Sequence, residues 1–402
     1  MASPRTIDGP LLEEKTVRRS AVPILHTRGT HYEVGFDVGY TFSGMIQEHV
    51  DEYRPLKETY LPLYETEEGR RIYEETLESV TRQFPQYVRE LQGTADGAKV
   101  PFHKLFLMHL DDVLPNALET GNTDEKKPDS GGCSSVVCNE PGQEILGHNE
   151  DAYTSVLNHW YLVSAHVVED GLREEKFTSL SYAGFLPGYT MGYNHHGLVY
   201  TINTLSARRL RSGKTLRYFL ARSLLGVENF EQAQETLRND GCGAAEGFSV
   251  NLTFLYQEGD RLFHNIEVGP PEEEASQSRL DILTAKPGEN LFHCNKYLRL
   301  QVPEVDGLII DSSVWRMAAI CRHSLPKSRE DVINILSDQT DDKFRVFQEI
   351  QPDDYVKTIA VGIFDCIGKT WSIYMDVPSC NEPVVVLPLL LKDDTSACLK
   401  NL

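Results

Sequence analysis

The sequence predicts an α+β sandwich, sheet on sheet with helices outside, and three observations carry that prediction. The first 118 residues show helical apolar spacing and helix caps almost throughout. From Cys133 onward, short β-rich segments follow one another with hairpin turns between them. The later helical segments fall in two separate groups, as they do when helices cover the outside of packed sheets.

Taken in order, residues 1–20 read as a loose tail and Val22 to His26 as a short strand. Thr30-His31-Tyr32-Glu33 is a capping box, in which Thr30 and Glu33 satisfy opposite backbone donors at a helix start. The spacing to Tyr60 fits one helix, interrupted near Pro55. A second helix runs from its cap Thr66 to Glu90, kinked or divided at Pro85, and a third from Phe102 to about Leu114. The stretch Glu119 to Ser130 (ETGNTDEKKPDS) holds Gly121, Pro128 and six charged side chains, and reads as an exposed loop or hinge.

Strands follow at Ser134–Cys138, Ile145–Asn149, Trp160–Val168 and Phe177–Ala183. Tyr189–Tyr193 and Leu198–Asn203 flank the turn Asn194-His195-His196-Gly197, whose residues suit positive φ. Helices are expected at Thr215–Leu225 and Phe230–Arg238, then a hairpin from Asn251 to Val268. After an acidic loop (PPEEEASQS) come a strand near Leu291–Asn295 and helices near Ser312–Arg322 and Arg329–Ser337. Strands at Thr358–Phe364 and Trp371–Met375 close the pattern. The run Pro383 to Leu391 (PVVVLPLLL) is too short to span a bilayer and reads as a buried strand.

Composition narrows the function. Of 402 residues, 40% are hydrophobic and 25% charged, the balance of a soluble globular protein. A net charge of −21 opposes nucleic acid, whose phosphates it would repel; it serves solubility and tolerates a cationic small substrate. The polar start MASPRTIDGPLLEEKTVRR has no apolar core of a signal, so a cytoplasmic protein is expected, with its eight sparse cysteines reduced. The sequon Asn251-Leu252-Thr253 would then go unused. Neither a Cys-x-x-Cys nor a His-Glu-x-x-His pattern occurs, which gives a zinc site little support.

The chemistry gathers at Gly131-Gly132-Cys133-Ser134-Ser135-Val136-Val137-Cys138. A small-residue turn feeding a cysteine at a strand start is what a self-cleaving N-terminal-nucleophile hydrolase needs. Gly132 has no side chain to block attack of the Cys133 thiol on its carbonyl. Scission would leave Cys133 with a free α-amine, titrating at about 7.7–8.0, which can take the proton from its own thiol. The competing role is a small buried hydrophobe, the commoner fate of a lone cysteine. Eighteen residues on, Gly147-His148-Asn149-Glu150-Asp151 returns a carboxylate, Asp151, to the same place, either to hold the new ammonium or to cap a turn.

Gly-Cys-Ser-Ser followed at that spacing by Gly-His-Asn-Glu-Asp resembles the penicillin acyltransferase family of N-terminal-nucleophile enzymes. So do Gly29-Thr30-x-x-Glu33-x-Gly35 and Phe292-His293-Cys294-Asn295, over residues from about 24 to 377. The resemblance implies a four-layer αββα sandwich made as a precursor. It implies that residues 1–132 become a helical chain and residues 133–402 a second chain, together one αββα domain and a heterodimer. It assigns Cys133 as nucleophile, Asp151 as the aspartate near its amine, and Asn295 as an oxyanion-hole amide, with no metal or organic cofactor. Within the family the likeness runs to β-alanyl amine hydrolases, which implies conjugates such as N-β-alanyldopamine and β-alanylhistamine (carcinine) as substrates.

Two departures point away from penicillin chemistry. Asp354-Tyr355-Val356-Lys357 has no Arg where the family's acyltransferases carry a Ser-Arg pair, and the chain ends Lys400-Asn401-Leu402 without a peroxisomal tripeptide. The rival activity is acyl transfer from a coenzyme A thioester, whose phosphates the cluster Arg208-Arg209-Leu210-Arg211-Ser212-Gly213-Lys214 would hold, although a solvated loop is the plainer role for it. The rival from another class is a non-catalytic scaffold. Asn203 reads as a strand-end side chain or a pocket residue, and His195 and His196 as solvent-exposed turn residues.

Overall fold

A computed structural model describes residues 18–118, 132–273, 275–341, 344–349 and 356–392. Most of the expected tail, the Glu119–Ser130 stretch, and Asp354 and Tyr355 lie outside the described residues. The chain enters through β1 (Ile24–Gly29). Thr30 then caps α1 (His31–Thr41): its side chain accepts from the Glu33 N–H, and the Glu33 carboxylate accepts from the Thr30 N–H at 2.8 Å. The single helix expected to Tyr60 is broken into α1, α2 (Ser43–Glu52), a π-helical turn at Leu56–Tyr60 and α3 (Leu61–Tyr64). Pro55 stands at the start of the π-helical turn, where its missing N–H costs least.

α4 (Glu67–Gln83) starts at Thr66 as expected, and Pro85 opens α5 (Pro85–Ala98) instead of kinking one long helix. α6 (Phe102–His109) and α7 (Val113–Ala117) complete the first helical group. α1 and α5 meet backbone to backbone through two pairs of glycines four apart. A Cβ on Gly35 would lie 1.9 Å from the Glu90 carbonyl oxygen, and one on Gly93 2.2 Å from that of Tyr32. Gly39 and Gly97 are equally tight against Thr94 and Phe36.

Past the described gap come β2 (Ser134–Glu140), β3 (Gln143–Tyr153), β4 (Trp160–Val167), β5 (Glu175–Tyr182), β6 (Met191–Asn194) and β7 (Leu198–Leu205). α8 (Arg217–Leu224) and α9 (Phe230–Arg238) follow, then β8 (Gly247–Phe254), β9 (Phe263–Gly269), β10 (Arg279–Ala285) and β11 (Glu289–His293). α10 (Leu308–Ile320), α11 (Arg329–Leu336), β12 (Val356–Asp365), β13 (Thr370–Tyr374) and β14 (Val385–Pro388) complete the described chain.

These strands make two sheets, β1-β4-β5-β6-β7-β8-β9-β10 and β11-β2-β3-β12-β13-β14. Every pairing is antiparallel except β1 on β4, where the N-terminal segment adds a parallel edge. Three apolar cores separate four layers. One packs α1–α9 on Tyr161, Val163 and Tyr200 of the larger sheet. The second lies between the sheets, with Trp160, Leu162 and Val199 facing Leu146, Phe364 and Trp371. The third packs α10 and α11 on Val136, Ile145 and Ile363. Central strands are therefore buried on both faces, so Val136 and Val137 serve different cores and the sequence shows a run instead of alternation. The αββα sandwich is the observed fold.

Two expectations need correction. Pro383–Leu391 is not a buried strand: only Val385–Pro388 pairs, at the free edge of the smaller sheet, and Val386 and Leu390 are 50% and 59% exposed. An edge strand with one covered face needs apolar residues on that face alone, and hydropathy cannot tell which edge it takes. β10 falls where no strand was expected, because its residues are half-exposed at an edge of the larger sheet.

Gly35→Ala should destabilise the fold by about 3 kcal/mol, near the upper end of overpacking costs, since carbonyl backbone cannot move aside. Gly44→Ala in α2, where a Cβ meets nothing within 4 Å, is the matched control and should be close to neutral. Urea midpoints of the two variants test this; equal midpoints would contradict the packing.

Candidate active site

The register of β2 against β3 decides what meets the thiol. Ser134 lies opposite Asn149 and Ser135 opposite His148, so Glu150 and Asp151 come level with Cys133. On its other side β3 pairs with β12, and the register slips between Thr358 and Ala360, opposite Asp151 and Glu150. Alternation along β3 holds here: Glu150 shares a face with His148 and meets Tyr182, while Asp151 shares the other with Asn149 and meets Gln348 and Thr358. Both residues border the cavity that holds Cys133.

The Cys133 N–H donates to Asn295 Oδ1 at 2.7 Å, its carbonyl accepts from Arg316 Nη1 at 2.7 Å, and its thiol donates toward Glu150 Oε1 at 3.7 Å. Arg316 also donates to Asn295 Oδ1 (2.7 Å), Ser134 Oγ (2.9 Å) and Ser312 Oγ (3.0 Å). Asn295, just past β11, is held by Ser313 Oγ on its N–H, and its amide nitrogen donates to the Thr204 carbonyl. A Cβ on Gly132 would sit 2.4 Å from Arg316 Nη2, so the buried guanidinium favours glycine at this position.

Asp151 accepts from Thr358 Oγ1 at 2.6 Å and Gln348 Nε2 at 2.9 Å. Glu150 accepts from the Tyr182 hydroxyl and faces His148 Nε2 at 2.9 Å, while His148 Nδ1 lies 2.8 Å from Ser135 Oγ. Burial pushes the Cys133 thiol well above the usual thiol range, and Glu150 and Asp151 add to the push; the Asp151 backbone N–H and Arg316 oppose it. Burial likewise lifts the Asp151 carboxyl to about 7, against Arg316, Thr358 and Gln348. The thiol is thus held toward its protonated form. The Cys133 sulfur, a His148 ring nitrogen and a Glu150 oxygen lie within 4.8 Å of one another, close enough for three ligands of a divalent metal.

From the thiol the cavity opens past Tyr182, Phe185 and Tyr53 to a second group of charges, where Asp111 and Asp112 share Arg217. Its volume is about 80 Å³, and it opens to solvent. A buried thiol, an amide oxygen on its own main-chain nitrogen, two carboxylates and a guanidinium form a site fit for nucleophilic attack on a small polar acyl group.

The structure brings Cys133, Asp151 and Asn295 into one site. Asn295 presents its oxygen to the Cys133 nitrogen, and the Asp151 carboxylate is engaged by Thr358 and Gln348. Arg316 and Glu150 were not singled out in the sequence. The signal for Arg316 was a lone basic residue inside the apolar run Leu308–Ile320, where it is fully buried. Asn203 is neither a strand-end nor a cavity residue: it is buried between the sheets, accepting from Ser135 Oγ (2.9 Å) and Asn251 Nδ2 (2.8 Å). His195 and His196 are half-buried, with ring centroids 3.8 Å apart and planes tilted by 46°, not solvent-exposed, because the turn folds onto its neighbours. In the basic cluster, Arg208 is paired with Asp306, Arg211 donates to the Glu273 carbonyl and Lys214 to that of Cys242.

A family model described as acyl-coenzyme A:6-aminopenicillanic acid acyl-transferase matches residues 138–379, more than half of the chain; the match includes Asp151, Asn295 and Arg316 and begins just after Cys133. A protein of Drosophila melanogaster named beta-alanyl-dopamine/carcinine hydrolase is 48% identical over 382 residues, covering 93% of this chain and 98% of that one. The 40 kDa form of acyl-coenzyme A:6-aminopenicillanic-acid-acyltransferase of Emericella nidulans is 24% identical over 222 residues, 55% of this chain and 58% of that one. Among solved structures, penicillin V acylase from Agrobacterium tumefaciens aligns with a TM-score of 0.37 at 14% identity, over 65% of this chain and 88% of that one.

The Asp151 carboxyl binds its proton more tightly in the folded chain, at about 7 against an ordinary 3.8. Its contribution to stability is therefore full below about pH 3.8 and is lost as pH rises through about 7. In a Cys133→Ala chain the melting temperature should fall from about pH 4 to about pH 8 more steeply than in Cys133→Ala/Asp151→Asn. Calorimetry across that range tests it, and parallel curves would refute the burial of this acid.

Proposed function

The chain belongs to the acyl-coenzyme A:6-aminopenicillanic acid acyl-transferase family, and from that premise we propose that it is a self-processing cysteine amidohydrolase of β-alanyl amine conjugates. One observation carries the mechanism: the Cys133 nitrogen is held by Asn295 Oδ1 while the thiol beside it faces an acid- and tyrosine-lined cavity. The substrate class rests on the name of the Drosophila relative, which covers nearly the whole chain. N-β-alanyldopamine would give dopamine, and carcinine histamine, each with β-alanine.

Processing is attack of the Cys133 thiol on the Gly132 carbonyl, passing the acyl group from nitrogen to sulfur, after which water releases the Gly132 carboxylate. Cys133 then carries an α-amine 2.7 Å from Asn295 Oδ1, and Asp151 stands close enough to stabilise its charged form. In turnover the α-amine takes the thiol proton and the thiolate adds to the substrate's acyl carbon. Reorienting the Asn295 amide, or using its second N–H, supplies a donor to the oxyanion. The α-ammonium protonates the departing amine, and water cleaves the thioester to β-alanine, restoring the thiol. The helical N-terminal chain and the chain from Cys133 stay together as a heterodimer, since β1 and the largest apolar core join residues from both sides of the cut. Among the described residues no helix is long and apolar enough to cross a membrane, and we place the enzyme in the cytoplasm.

Denaturing electrophoresis of the purified protein should show two fragments, the larger beginning at Cys133. Cys133→Ala should give one uncut chain with no release of β-alanine, and a fully active Cys133→Ala protein would exclude the mechanism. Asn295→Ala that still matures should lose about 10²–10³-fold in kcat, as for a lost oxyanion donor.

A further inference from the structure

Glu150 has no part in the reaction just described, yet it is the carboxylate toward which the nucleophile's thiol points, at 3.7 Å. A negative charge there works against a nucleophile that must become an anion, and it raises the proton affinity of the thiol. Such a charge is useful only when something cationic occupies it during turnover. The other acids of the cavity are already matched. Asp111 and Asp112 share the Arg217 guanidinium, and Asp111 also accepts from the Tyr218 hydroxyl at 3.0 Å. Asp151 accepts two side-chain hydrogen bonds.

Glu150 likewise has two side-chain partners, the Tyr182 hydroxyl and the His148 ring, but it is the acid the thiol points to, and among the described residues no lysine or arginine pairs with it. Tyr182 and Glu150 both line the cavity, so the carboxylate faces arriving substrate. Reach agrees. In the thioester the acyl carbon is bonded to the Cys133 sulfur, and the nitrogen of a β-alanyl group lies two methylenes further, about 4 Å from that carbon. A carboxylate 3.7 Å from the sulfur falls within hydrogen-bond distance of that nitrogen.

We propose that Glu150, oriented by Tyr182 and His148, is the receptor for the primary ammonium of the substrate's acyl group, and that the site selects β-amino acyl chains through this charge. The proposal rests on the β-alanyl amide reading above. It gives substrate binding a second effect: an ammonium on Glu150 cancels the charge that opposes the thiolate, so the nucleophile is best activated when the right acyl group is present.

The test compares β-alanyldopamine with propionyldopamine, which differ in the ammonium alone. The wild-type enzyme should favour the β-alanyl conjugate by about 10²-fold or more in kcat/KM, as for a charged hydrogen bond made in a buried site. Glu150→Gln should bring that ratio down toward one. Where Glu150→Gln does not mature to two chains, Tyr182→Phe replaces it and should lower the same ratio by about tenfold. A wild-type ratio near one, or a variant that slows both conjugates equally and keeps the ratio, would overturn the assignment. Hydrolysis of neither conjugate by the wild-type enzyme would instead defeat the amidase reading itself, so the two failures are distinguishable.

Discussion

A buried guanidinium organises the centre of this molecule. Arg316 is fully buried on α10 and spends its donors on the Cys133 carbonyl, the Asn295 side chain, Ser134 and Ser312. A cation in the interior is tolerated only when its hydrogen bonds are met in full, because an unmet one costs more than the pair returns. That demand locks three pieces of chain together: the outer helix, the start of β2 and the residue just past β11. It also excludes any side chain at Gly132. The position of Cys133 follows from satisfying an arginine, and the layered fold supplies the helix from which that arginine reaches in.

Around this centre the two sheets do not meet through apolar contacts alone. Ser135, His148, Thr201, Asn203, Asn251 and Asn265 form a hydrogen-bonded belt between them. Further along, His293 and Glu267 continue it, with Glu267 accepting backbone N–H groups at Leu298, Arg299 and Leu300. A satisfied network of this kind fixes one register where hydrocarbon would permit sliding. Cys133 lies at one end of the belt. The tolerances of the site are therefore set by directional bonds, and the apolar core of Trp160, Phe364 and Trp371 supplies cohesion elsewhere in the same layer.

Much of this was legible in the chain. The Thr30–Glu33 box, the Thr66 cap, helix Phe230–Arg238 and the hairpin at Asn194–Gly197 depend on neighbours a few residues apart, and local chemistry settles them. Cys133, Asp151 and Asn295 were legible as one group through spacing and resemblance. Arg316 was not, because what reveals it is burial among distant partners, and a single arginine in a helix reads equally well as a surface charge. Glu150 was hidden because alternation turns it to the face opposite Asp151, where only its distant partner Tyr182 and the His148 ring reveal it. The edge positions of β10 and β14 were illegible for a related reason. Strand order is decided by pairing across hundreds of residues, and no local pattern encodes it.

The parallel seam of β1 on β4 has a consequence for the history of each molecule. While the polypeptide is continuous, that seam forms within one chain, at a loop-closure cost that grows only slowly with length and does not depend on concentration. If the Gly132–Cys133 bond opens as proposed, the same seam would become a meeting of two solutes, and its recovery after unfolding would depend on their concentration. The proposed enzyme would then be a folded state inherited from a precursor, durable because it comes apart slowly and not because its parts find one another again.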